Sequence, residues 1–198
     1  MASKMKNVVE KLIVDKTFMG ENFSSERLPR AEYENCIFER CNFNKGYLDN
    51  QTFLECEFID CNLSNANIVN TTFKEITFSQ CKLMGLAFNT CNPFLMQMYF
   101  ADCNLSFANF VEMKLIGQQF KSCNLEEVDF SDCDLSNAKF LECNLERSIF
   151  SRTNLQKADF STATNFSLDP ENNMVKEAVF SRETLQGLLH KYKLNIVD

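Results

Sequence analysis

Large apolar residues recur every five positions along most of this chain. Phe18, Phe23, Leu28, Tyr33, Phe38 and Phe43 open the series, and it continues in strict fives to Phe88. It stumbles through residues 92–97, resumes two residues out of step at Phe100, and runs on to Phe160. A helix repeats at 3.6 residues and a single strand at 2, so neither sustains a period of five. A fixed short period over this length is the mark of a solenoid, in which each repeat buries its apolar residue against the next. The chain holds only 5 Gly and 3 Pro among 198 residues. Its corners must therefore be made by some repeating device other than glycine or proline turns.

The position two before each large residue is a second internal site. All ten cysteines fall there, from Cys36 and Cys41 to Cys133 and Cys143, and Ala31, Ala66, Ala108, Ala138 and Ala158 share the slot. Cysteine in this place acts as a small buried hydrophobe. Units such as Ala66-Asn67-Ile68, Ala108-Asn109-Phe110 and Ala158-Asp159-Phe160-Ser161 resemble the A(D/N)LXX repeats of pentapeptide-repeat proteins. The resemblance spans residues 16–164. It implies an all-β fold, a right-handed quadrilateral parallel β-helix in which four pentapeptides make one turn and residues twenty apart stack.

Sorting the central residues by twenties tests that implication. With the stumble treated as a two-residue bulge, one column reads Phe18, Phe38, Phe58, Phe78, Phe100, Phe120, Phe140 and Phe160. The second passes from Phe23 and Phe43 to Leu63, Leu83, Leu105, Leu125 and Leu145, and the third from Leu28 through Ile68 to Phe150. The fourth holds Tyr33, Phe53 and Phe73, then Pro93, then Leu115, Leu135 and Leu155. Cys41, Cys61, Cys81, Cys103, Cys123 and Cys143 form an inner ladder beside an outward row of asparagines from Asn22 to Asn144. About seven coils at roughly 4.8 Å each give a rod about 35 Å long.

Residues 1–15 are expected to cap the first coil, residues 16–164 to form the β-helix, and residues 165–198 to form a small strand–helix–strand cap. The strand is expected over 175–180 and the helix after Ser181, with Leu185, Leu188, Leu189 and Tyr192 as its apolar stripe. Leu194 and Ile196 belong to a last strand. The tail from Leu188 to Val197 is similar to that of Qnr and McbG-like gyrase-protection proteins, which implies a homodimer through this module.

Enzyme chemistry finds no support. There is one histidine, His190, and no zinc or phosphate-loop motif. No cofactor or metal is expected, and the thiols are expected reduced in a cytoplasmic protein. Val8 and Val9 run at once into Glu10 and Lys11, which excludes a signal-peptide core, and no stretch is apolar enough to span a membrane. A net charge of −7 argues against direct nucleic-acid binding and permits a basic partner.

Function then belongs on the outer faces. Acids cluster at Glu32, Glu34, Glu55 and Glu75 on the fourth face of the first half, with Glu39, Glu57 and Asp60 around the corner. In the second half they move to Glu126, Glu127 and Glu146 on the second face and Glu112, Asp129 and Asp132 on the third. This second group is the candidate binding face. The Qnr-like resemblance implies an acidic DNA mimic that binds DNA gyrase or topoisomerase IV and modulates or protects it. The chain departs from plasmid-type Qnr in lacking long projecting loops. A generic interaction scaffold with an unrelated protein partner stands as the alternative.

Overall fold

The computed structural model describes residues 11–195. In chain order its strands are β1 (Lys11–Val14), β2 (Thr17–Met19), β3 (Ala31–Glu34), β4 (Ile37–Glu39), β5 (Thr52–Leu54), β6 (Glu57–Ile59), β7 (Thr72–Lys74), β8 (Ile76–Ser79), β9 (Met98–Ala101), β10 (Gln119–Lys121), β11 (Lys139–Leu141), β12 (Asp159–Phe160) and β13 (Val179–Phe180). They build two parallel sheets, β1-β3-β5-β7 and the nine-stranded β2-β4-β6-β8-β9-β10-β11-β12-β13. The remaining two faces of the quadrilateral coil pair through single parallel bridges, such as Asn42↔Asn62 and Asn109↔Asp129.

The register is the twenty-residue one: Phe38 lies beside Phe58, Phe53 beside Phe73, and Phe120 beside Phe140. Across the slip it becomes twenty-two, with Phe78 beside Phe100. Amides alternate upward and downward. Phe43 N–H donates to Asn62 O at 2.7 Å, and Asn62 N–H donates to Cys41 O at 3.0 Å. Every coil thus satisfies its backbone through its neighbours, as a buried main chain must.

The corner device is a left-handed residue two places after most of the central ones. Asp15, Asn35, Arg40, Lys45, Asn50 and Glu55 begin the series, with φ between 50° and 58°. Non-glycine residues adopt this conformation at a cost of about 1–2 kcal/mol. A regular hydrogen bond offsets it: Asn35 N–H reaches Leu54 O at 3.0 Å, and Glu55 N–H reaches Lys74 O at 2.9 Å. The residue before each central one also shapes the turn. Asn42, Asn62, Asp134 and Asp159 each accept the amide two residues on, at 2.9–3.1 Å.

The core is a stack of rings. The phenylalanine column is buried from Phe18, 8% exposed, to Phe160, 0% exposed. Its successive ring centroids lie 4.7–5.5 Å apart. All ten cysteines are buried free thiols. They differ from plain hydrophobes in one respect. Cys61 Sγ donates to Phe38 O at 3.2 Å, twenty-three residues back, and Thr71, Ser148 and Thr153 hydroxyls make the same bond at their positions. Where the inner slot holds cysteine, serine or threonine, the side chain thus also donates to the preceding coil.

The repeat's register reaches beyond residues 16–164. β1 adds Ile13 below Tyr33, and β13 places Phe180 on Phe160 with centroids 5.2 Å apart. Two faces thus continue to residue 180, while Phe166 and Leu168 fill the interior where the other two columns end. The helix expected after Ser181 is realised as two 3-10 turns, Leu185–Leu188 and His190–Tyr192, because the segment folds back tightly over Phe166. Leu194 is not in a strand, and Ile196 lies outside the described residues.

Pro93 does not occupy the fourth column. It is exposed, and Met96 is the residue of the slip that packs against the core. The slip peptide rejoins the ladder when Gln97 N–H donates to Phe73 O at 3.0 Å.

Candidate functional site

Three surfaces stand out on the rod: the acidic rows, the slip and the C-terminal turn. The candidate acidic face is a network of ion pairs. Arg147 contacts Glu126, Glu127 and Glu146 together, at 2.9 Å to Glu127 and 3.1 Å to Glu146. Arg152 Nε–H and Nη2–H donate to the two carboxylate oxygens of Asp132, at 2.8 and 2.6 Å. That guanidinium holds the Asp132 carboxyl below its ordinary range, chiefly through the hydrogen bond. Asp129 accepts Ser131 N–H at 2.9 Å and so serves its own turn. Glu112 stands exposed in the left-handed corner conformation, at φ 64°.

Apart from the adjacent Arg147–Glu146 pair, these pairings lie twenty or twenty-one residues apart in sequence, one coil up the rod. The arginine row beside these acids, Arg147 and Arg152, neutralises part of that face. The fourth-face group differs. Among the described residues Glu32, Glu34, Glu55 and Glu75 make no salt bridge, and Glu39 alone of its corner group is paired, with Arg40 at 2.9 Å.

At the slip, Phe94 is 70% exposed and Leu95, itself left-handed at φ 54°, is 58% exposed. Two open grooves flank it, one lined by Tyr99 and Ile116, the other by Phe88 and Val111, and Met96 borders both. Among the described residues no group of three or more His, Cys, Asp or Glu is placed to hold a metal ion. No helix among them is long and apolar enough to cross a membrane.

The C-terminal segment is held by close packing and by charge. A Cβ at Gly187 would stand 2.5 Å from Phe166 O and 2.6 Å from its ring, so only glycine lets the chain lie this close. Lys191 Nζ binds Asp169 at 2.7 Å and Glu171 at 2.6 Å, and Tyr192 Oη donates to Glu171 at 2.9 Å. Hydrogen bonds to the two carboxylates hold the lysine in its charged form, and Lys191 in turn holds both acids below their ordinary range. The apolar stripe divides. Leu188 packs against the core, while Leu185, Leu189, Tyr192 and Leu194 remain outside.

Comparison with known proteins places these features in a family setting. A family model described as a pentapeptide repeat region matches residues 51–129, and one described as pentapeptide repeats (8 copies) matches residues 129–164. Together they take in more than half of the chain. The structure of full-length QnrB1, a plasmid-mediated fluoroquinolone resistance protein, is similar at 20% identity, covering 92% of this chain and 100% of that one, with a TM-score of 0.46. HetL, a pentapeptide repeat protein involved in heterocyst differentiation regulation from the cyanobacterium Nostoc, is similar at 14% identity, covering 86% and 87%, with a TM-score of 0.36. No curated protein sequence matches the chain.

Proposed function

The chain belongs to the pentapeptide-repeat family, and from that premise we propose that it works without catalytic chemistry, as an acidic rod that binds a basic protein surface. The partner is a DNA-binding saddle of the DNA gyrase or topoisomerase IV kind, which the rod occupies in place of duplex DNA. The observation that carries this reading is the row Glu32, Glu34, Glu55 and Glu75, which makes no salt bridge among the described residues. Glu32 and Glu34 flank Tyr33 on one coil, and Glu55 and Glu75 follow on the next two. Unpaired carboxylates held in rows attract a basic cleft by the electrostatics that attract phosphates. The candidate group Glu112, Glu126, Glu127, Asp129, Asp132 and Glu146 adds negative charge on the other side of the rod, reduced by Arg147 and Arg152.

The segment 165–198 caps the last coil and joins two copies end to end. Leu185, Leu189, Tyr192 and Leu194 supply the apolar contact for that homodimer, and their exposure supports it. A second reading, a scaffold for an unrelated partner, is favoured by the arginine pairing, because a surface built of satisfied ion pairs offers less to a basic cleft.

Supercoiling by gyrase with increasing protein, with and without a quinolone, separates the two. Inhibition or protection that weakens in Glu55→Lys plus Glu75→Lys supports the topoisomerase reading. No effect on the enzyme and no binding would leave the scaffold reading.

A further inference from the structure

The outer face of the nine-stranded sheet is long, and its strands pair in parallel register along the described chain. The rings stacked behind it lie within 3° to 23° of parallel. Each strand shows two residues outward, one on either side of its buried phenylalanine. From the N-terminal end these pairs include Ile37 and Glu39, Glu57 and Ile59, Thr77 and Ser79, Tyr99 and Ala101, Gln119 and Lys121, and Lys139 and Leu141. β9 is the fifth of the nine strands, and its Tyr99 is 44% exposed.

We propose that this face pairs with the same face of a second copy of the chain, antiparallel, about a two-fold axis over β9. That operation sets β8 against β10, β6 against β11 and β4 against β12, and leaves no strand of the sheet unopposed. Glu57 then faces Lys139 of the second copy, and Ile59 faces its Leu141. Tyr99 meets Tyr99 and Ala101 meets Ala101 on the axis. Among the described residues neither Glu57 nor Lys139 makes a salt bridge, although Lys139 lies beside Asp159 in the ladder and attracts its carboxylate. A parallel pairing of the same faces would instead set Glu57 against Ile59 and Lys139 against Leu141, burying charge on apolar surface. Charge complementarity therefore selects the antiparallel arrangement and a second copy as the occupant.

Two features limit its strength. Ile37 falls opposite Asp159, whose carboxylate already accepts Ser161 N–H at 2.9 Å. Asp60 and Glu142 approach at the solvent-exposed corner, where salt screens their repulsion. Nine strands spaced about 4.8 Å and three residues wide give roughly 400 Å² per copy, on the order of 800 Å² in all. Stable interfaces bury about 1,200 Å² or more, so the pairing is weak and reversible.

The test is a charge swap read by sedimentation velocity over a concentration series. It uses the full chain carrying Leu189→Asp, which removes the C-terminal contact and keeps the two interfaces distinguishable. Glu57→Lys breaks both symmetric contacts and replaces them by repulsion, so it should weaken self-association about tenfold, as should Lys139→Glu. The double variant should return to within about threefold of the starting chain. A monomer at all concentrations up to about 1 mM overturns the proposal. So do single swaps without effect, or a double variant as weak as the singles. Circular dichroism on every variant separates lost pairing from lost fold, and a Tyr99→Asp chain that folds yet still associates would also overturn it.

Discussion

Truncating Phe120 to alanine tests how the rod is held together. Its ring is wholly buried, stacked at 5.4 Å on Phe100 and 5.5 Å on Phe140, with Phe110 and Phe130 edge-on at 6.0 and 5.9 Å. Phenylalanine-to-alanine changes in cores cost about 3–5 kcal/mol through lost transfer energy and the cavity left behind. Four ring pairs at about 0.5–1.5 kcal/mol each place this site at the upper end of that range. The coils above and below are fixed by backbone ladders, so the cavity cannot close. Phe180, at the end of the same column, is half-buried and has two ring neighbours, Phe160 and Phe166. Its truncation should cost about 2 kcal/mol. Urea unfolding followed by far-UV circular dichroism reads both, provided the slopes are equal. A loss at Phe120 below about 1.5 kcal/mol, or no greater than at Phe180, would refute the reasoning.

Three further outcomes are expected. Burial pushes the Cys56, Cys91 and Cys133 thiols up to about 12, whereas an unfolded thiol titrates near 8.5. A raised folded value stabilises the native state below the unfolded pKa and is lost as pH rises toward the folded one. The urea midpoint should therefore fall between about pH 8.5 and 12, and a flat profile there would contradict buried thiols. Gly187→Ala should lift the C-terminal turn from Phe166, seen as faster hydrogen exchange over 181–195 with the coils unchanged; unaltered exchange there would count against close packing. Phe107 is 52% exposed in a left-handed corner at φ 63°, so Phe107→Asn should raise stability by about 0.5–1 kcal/mol, and a loss in thermal melting would show that its ring contributes more than its backbone costs.

The columns were legible in the sequence because each inward slot admits one kind of residue. Phe120 or Leu125 fits between stacked neighbours, and little else does. The corners were not, because Arg40, Glu55 and Lys157 adopt the left-handed conformation without any turn signature. What holds them there is the hydrogen bond that each donates from its own N–H to a carbonyl of the next coil, nineteen residues on. The final coil was hidden for a related reason: Asn165 and Pro170 interrupt two columns, while Val175 and Phe180 continue the others. Pro93 matched the spacing but not the interior, and Met96, longer and more flexible, reaches the core from a displaced backbone. Glu126, Glu127 and Glu146 sort to one face by sequence, but only the folded coil shows the Arg147 side chain reaching all three.

The coil closes every twenty residues, so excising a whole coil preserves the columns and excising part of one does not. Removing residues 121–140 joins Phe120 to Leu141 and keeps every column in register. Removing residues 121–135 shifts each later column by one face and sets leucine and phenylalanine slots against one another. Thermal melting by circular dichroism should show a cooperative β-rich transition for the first deletion and none for the second. Equal melting of the two would contradict the account.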